Sequence, residues 1–262
     1  MRRWSLAIIA VMSVGVTVGP WLAADPTAQQ LALRLEGPSL THPLGLDELG
    51  RDVLARLLSG GRVSLLVGGA VVVISALVGT IVGAVSGYLG GWIDEVVGRV
   101  MDILLAFPGI LLAIAMVAVL GPSLTNVVLA LSLIGWVGYA RLVRGQVLKI
   151  RELEYVQAAR AVGATTPRIL LRHVIPATLS TVIVQATLGM AAAVVAEASL
   201  SFLGLGVQPP MPSWGTMLDA GRSHLFDAPH LTVVPGLAIA LLVMGFNFAG
   251  DALRDRLDPR SL

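Results

Sequence analysis

The sequence predicts an all-α, polytopic integral membrane protein with six transmembrane helices, and three observations predict it. Of its 262 residues, 56% are apolar and 13% charged, where soluble chains run at about 45–50% and about 25%. The mean hydropathy is +0.85. The apolar residues are bunched into six charge-poor runs, 5–24, 65–89, 103–120, 123–140, 177–200 and 231–250. Each holds about the 17–25 residues that a helix needs to cross roughly 30 Å of hydrocarbon. The formal charge of +2 is small, so the basic residues speak to membrane orientation rather than to nucleic acid. Having no cysteine, the chain offers no disulfide, thiolate metal site or cysteine nucleophile.

Residues 1–24 place Arg2 and Arg3 before an apolar run, the pattern of a signal peptide or of a retained helix. Cleavage after Ala24 would put Leu22 where a small residue is wanted, which favours a retained N-terminal transmembrane helix. Residues 25–64 follow as a periplasmic or extracellular segment. Within it, Val53, Leu54, Leu57 and Leu58 share one helical face and Asp52 and Arg56 stand four apart. That spacing predicts a short amphipathic helix at the outer interface, supported by an Asp52–Arg56 ion pair.

Residues 65–250 form the transmembrane core. Gly79, Gly83 and Gly87 remove three side chains from one face, for close packing inside this chain or against a second membrane subunit. Pro108 and Pro235 lie near span ends, where a first-turn proline is cheap and a deeper one kinks the helix. The third and fourth spans are joined by Gly121-Pro122 alone, as an antiparallel hairpin. Glu197 falls roughly 30 Å from the inner start of its helix. A charge at a span centre costs about 2.5–3.5 kcal/mol, so Glu197 is expected near the outer leaflet, facing a cavity or a partner chain. A carboxylate that simply reaches the interface is the other reading. Gln185 and Asn247 read as interhelical hydrogen-bond donors.

Counting Lys and Arg in alternate connections gives thirteen against five. The larger set holds Arg2, Arg3, Arg99, the seven from Arg141 to Arg172, and Arg254, Arg256 and Arg260. The positive-inside rule therefore predicts cytoplasmic termini, with 251–262 as a cytoplasmic tail.

No catalytic pattern is present: there is no HExxH, GxSxG or dinucleotide loop, and His42, His173, His224 and His230 lack metal-site spacing. The one lysine, Lys149, stands in Gly145-Gln146-Val147-Leu148-Lys149-Ile150, which is not a P-loop. The chain is expected to be no enzyme, with no catalytic residue, no metal and no cofactor of its own.

The connection 141–176 is longer than adjacent helices require. Leu153, Val156 and Ala159 recur every three residues, and Gly163 suits the left-handed residue that ends a helix. Thr166 is placed to cap a second short helix that Pro167 opens. Its apolar face is Leu170, Leu171, Val174 and Ile175, before Pro176 starts the fifth span. A DNA-binding helix-turn-helix does not suit a loop tethered between two spans.

Glu154-Tyr155-Val156-Gln157-Ala158-Ala159-Arg160-Ala161-Val162-Gly163, nine further residues and His173-Val174-Ile175-Pro176 resemble the EAA loop of ABC importer membrane subunits. Gln157 replaces the motif's Glu and His173 its first Ile. His42-Pro43-Leu44-Gly45 through Arg62-Val63-Ser64-Leu65, and Leu200-Ser201-Phe202-Leu203-Gly204-Leu205-Gly206 through Pro212-Ser213-Trp214-Gly215, resemble the C-type permease of dipeptide and oligopeptide importers.

The resemblance implies a homologous B-type permease as partner, two ABC ATPase subunits that bind ATP and Mg, and a periplasmic or lipid-anchored binding protein. It implies a multi-pass protein of the bacterial inner membrane. Glu154, Gln157, Ala158, Ala159, Gly163 and Pro176 would couple to the ATPases. Glu197, Phe202, Leu203 and Trp214 are candidates for the translocation path or an outer gate in 201–230, with an interfacial anchor as the alternative for that loop. Peptides, nickel, glutathione and haem are all substrates within this branch. A non-transporting scaffold explains the spans but not the paired-helix loop.

Overall fold

A computed structural model describes residues 2–257; Met1 and residues 258–262, including the Arg260 counted in the tail, lie outside the described residues. In chain order the helices are α1 (Arg2–Leu22), α2 (Val53–Leu89), α3 (Gly91–Leu105), α4 (Gly109–Leu120), α5 (Leu124–Ile150), α6 (Glu154–Ala161), α7 (Thr166–Ile169), α8 (Ile175–Phe202), α9 (Trp214–Gly221) and α10 (His230–Leu257). Among the described residues, α2, α5, α10 and the continuous stretch Thr166–Phe202 are long and apolar enough to cross a bilayer, and α3 with α4 forms a fifth candidate bent by 83°. The apolar part of α1, Ile9–Leu22, is shorter. The protein is thus an all-α membrane protein with four or five candidate spans among the described residues.

The longest span begins earlier than its hydropathy suggests. Asp52 accepts the backbone N–H of Ala55 at 2.8 Å and so caps α2 directly; the short interfacial helix expected before residue 65 is the first turns of that span. The expected Asp52–Arg56 pair does not form. Asp52 instead meets the His42 ring at 2.8 Å, while Arg56 turns to Asp47 at 3.3 Å. At the far end, Gly90 and Gly91 both have positive φ, which lets the chain leave α2 sharply into α3.

The third expected span is interrupted. Pro108 lacks an N–H and pushes Phe107 out of the helical region, so the helix stops at Leu105 and restarts at Gly109. The following hairpin is as expected: Gly121 has φ 91° and the Ser123 hydroxyl accepts the Asn126 N–H at 3.1 Å to cap α5.

The second short helix expected in the 141–176 connection fuses with the fifth span. Thr165 rather than Thr166 occupies the N-cap position, without a side-chain bond. Residues Leu170–Val174 then form a wider turn. It absorbs Pro176, which supplies no N–H to the preceding turn and crowds its carbonyls. Pro176 therefore sits inside one long helix instead of starting a new one.

α2 is the hub. A Cβ on Gly79 would lie 2.5 Å from the Trp136 carbonyl oxygen, and one on Gly87 3.1 Å from that of Arg144, while Gly83 faces Ala140. The three glycines therefore serve close packing of α2 on α5 within this chain. Gly68 and Gly189 extend the same logic, against Val194 of α8 and the Tyr139 hydroxyl.

Candidate functional sites at the two ends of the bundle

One end carries α6. Its inner face is Val156, fully buried, with Ala159 half-buried, packed on Tyr88, Val147, Ile150, Ile169 and Val174. Of the apolar stripe, Val156 and Ala159 thus turn to this chain's own core, while Leu153 is 47% exposed. Two arginines, one capping the end of α5 and one on α6, reach the end of α2. Arg151 donates to the Gly87 carbonyl at 2.9 Å. Arg160 donates to the Tyr88 hydroxyl at 3.1 Å and lies 5.4 Å from its ring centre; this hydrogen bond pushes the Arg160 pKa up, favouring the charged form. α3 is fastened to the same end, Arg144 reaching Asp94 through two bonds of 2.5 and 2.6 Å.

What α6 leaves to solvent is a different face. Glu154, Tyr155, Gln157, Ala158 and Val162 are exposed, Val162 by 84%. Gln157, standing where the motif has Glu, reaches Glu152 at 3.3 Å. Gly163 adopts φ 82° with open space around it, so its backbone conformation and not crowding requires glycine. Pro176 is exposed near the start of α8.

The opposite end carries α9. Ser213 and Thr216 close a reciprocal capping box at its start. Trp214, 1% exposed, donates its indole N–H to the Leu57 carbonyl of α2 at 2.9 Å. Gly215 allows α9 to rest on Ala198 of α8. Asp47, Arg51 and Arg56 form a buried ion cluster beside it, with Arg51 and Asp47 at 2.6 Å. Outside the spans, the hydrogen bond from His224 holds Asp227 below the usual carboxylate range.

Glu197 is 1% exposed and faces the interior of this chain, not a cavity or a partner. Ser64 of α2 and Ser201 of α8 each donate to it at 2.7 Å. The carboxylate therefore ties α2 to α8 where α9 docks. A carboxylate at that depth survives because hydroxyls replace its water. Of the other candidates, Trp214 is an anchor, Phe202 carries Arg222 at 5.8 Å from its ring, and Leu203 is 54% exposed. Sequence reasoning missed the serine partners, since their separations of 133 and 4 residues carry no common motif.

Between the ends, one cavity of about 310 Å³ lies among α2, α4, α5 and α8, and another of about 430 Å³ among α5, α8 and α10. Among the described residues no group of His, Asp or Glu is placed to hold a metal.

Residues 79–262 match the family described as the binding-protein-dependent transport system inner membrane component. Over 225 residues the chain is 48% identical to the glutathione transport system permease protein GsiD of Pectobacterium atrosepticum, covering 86% of this chain and 75% of that protein. Identity to GsiD of Shigella dysenteriae is 50% over 224 residues, covering 86% and 74%. Two crystal forms of the inward-facing MetNI methionine ABC transporter share the fold. The first matches at TM-score 0.62 and 20% identity over 76% of this chain and 95% of that one, the second at 0.55 and 21% over 73% and 93%.

Proposed function

The chain belongs to the family of binding-protein-dependent transport system inner membrane components, and from that premise we propose that it forms half of a path importing glutathione or a related small peptide. It is a permease subunit of an ABC importer, a non-catalytic part of the inner membrane complex whose ATP is bound by separate ATPase subunits. The partners this reading requires are a homologous B-type permease, two ATPases and a periplasmic or lipid-anchored binding protein. The substrate follows from the relatives near 50% identity, which are named as glutathione permeases.

The observation that carries the mechanism is the construction of α6. Its inner face packs against α2, α5 and α7 while Glu154, Gln157 and Ala158 are exposed to solvent, as a rigid lever with an outward contact face requires. Closure of the ATPase pair would press this face. Arg160 would pass the displacement to the end of α2, and the continuous Thr166–Phe202 helix would carry it across the membrane. At the other end, α9 and the segment from 201 to 215 would respond as the outer gate, hinged on Leu203 and anchored through Trp214.

Six crossings are the reading we favour, from α1, α2, the bent α3–α4 pair, α5, the α8 stretch and α10. Burial of Val16 of α1 in a cluster with Trp214 and Leu242 supports a retained first helix. The charge count supports α6 and both termini in the cytoplasm, residues 25–52 outside and 251–262 inside.

Reconstitution with the B-type permease, ATPases and binding protein tests the function. ATP-dependent accumulation of glutathione in vesicles is expected. A complex that hydrolyses ATP in the presence of the loaded binding protein yet accumulates neither glutathione nor any other small peptide would contradict it.

A further inference from the structure

The two cavities follow one another along α8 and share one lining residue, Gln185. The first, between α2, α4, α5 and α8, is largely apolar but holds three polar groups, Ser75, Tyr139 and Gln185. The Ser75 hydroxyl is buried without a hydrogen-bond partner. Among the described residues the Tyr139 hydroxyl reaches the Gln185 backbone carbonyl alone, at 3.5 Å, well beyond the roughly 2.5–3.0 Å of a full O–H···O bond. It stands over Gly189, where a Cβ would come within 2.5 Å of it. The second cavity is walled by Ser180, Thr181, Gln185 and Arg254 together with leucines and a valine. Arg254 is the one charged side chain among the described residues lining either.

We propose that these cavities are consecutive chambers of the translocation path, that Gln185 is the contact handed from one to the other, and that Arg254 is an anion-binding group receiving a carboxylate of an acidic small peptide at the α6 end. The proposal rests on the importer reading and assigns it a site. Each chamber falls within the roughly 300–1,000 Å³ of small-molecule sites. A surface meant for acyl chains has no use for an under-bonded tyrosine, an unpaired serine, an amide and a guanidinium along one helix, because each costs free energy against hydrocarbon. A peptide supplies the missing partners: its N–H and C=O groups exchange bonds with Tyr139 and Gln185, and its carboxylate pairs with Arg254 beside the hydroxyls of Ser180 and Thr181. The first chamber carries no charge, so it does not hold the substrate tightly. The single cation lies at the end where release occurs.

Because the chain has no cysteine, Gln185→Cys gives one reactive thiol. The probes are anionic, neutral and cationic methanethiosulfonates, applied to the reconstituted complex with its permease partner and ATPases, at rest and trapped with ATP and vanadate. Labelling by the charged reagents is expected in at least one state, since a thiol facing lipid does not meet them. Adding Arg254→Gln should slow the anionic reagent about threefold and leave the neutral one unchanged, and Arg254→Lys should restore the ratio. A thiol that is inert in both states would overturn the path assignment. Equal anionic rates with Arg254 and its Gln variant would overturn the anion site. These readouts do not need the substrate, so failure of glutathione uptake by the unmodified complex counts against the substrate reading alone.

Discussion

Arg160 of α6 donates to the Tyr88 hydroxyl at 3.1 Å and lies over its ring at 5.4 Å, joining this short helix to the last turn of α2. Tyr88 is 8% exposed and embedded in the cluster that also holds Val156. In the proposed mechanism a displacement of α6 would reach α2 through this aromatic side chain. Tyr88→Phe removes the hydrogen bond and keeps the ring, a loss of about 1 kcal/mol, and should lower solute carried per ATP while ATPases still associate. Tyr88→Ala should also destabilise the chain by about 3–5 kcal/mol. Uptake and phosphate release measured on the same vesicles check both.

The two adjacent alanines should behave oppositely. Ala158 is exposed and Ala159 half-buried, so Ala158→Asp is expected to leave folding intact and to reduce ATPase association at least tenfold. Ala159→Asp puts a charge against the Val156 cluster and should lower thermal stability first. Co-purification of ATPase subunits, set beside a melting curve for each variant, distinguishes them.

Gly163→Val meets no neighbour but forces a β-branched residue to φ 82°, a strain of about 1–2 kcal/mol. The turn is expected to relax by re-aiming α6, giving complexes that assemble and hydrolyse ATP with reduced uptake. Gly163→Asn, which tolerates the left-handed region, should restore coupling.

Glu197 is a structural tie in this arrangement. Glu197→Leu strands the Ser64 and Ser201 hydroxyls, each at about 1–3 kcal/mol, and should cut the melting temperature markedly. Glu197→Gln keeps one oxygen acceptor and should cost less. Uptake per folded complex should match wild type in the Gln variant; a selective fall in uptake with unchanged melting would return the carboxylate to the path.

Much of this architecture was legible in the sequence because hydropathy and glycine spacing report directly on burial. The runs over 123–140, 177–200 and 231–250, the Gly79-Gly83-Gly87 face and the Gly163 turn all appear where the pattern puts them. What escaped was set by partners distant in sequence. Pro108 could kink or merely start a helix, and only the placement of α3 by Asp94 and Arg144 makes it a break of 83°. The 53–61 stretch looks interfacial by composition until Trp214, 157 residues away, covers it. A periodic stripe says which face of α6 is apolar but not whether it turns to its own chain, and a lone glutamate does not announce two serines.

In the proposed mechanism the exposed face of α6 is where the ATPases drive transport. Ala158→Cys in this cysteine-free chain, oxidised against single cysteines on the ATPase surface in the assembled complex, tests it most directly. A disulfide is expected to form at Ala158→Cys, to block uptake and to be reversed by reductant, while the same substitution at the remote exposed Leu203 yields none. Failure of Ala158→Cys to cross-link in every nucleotide state, in complexes that still transport, would contradict it.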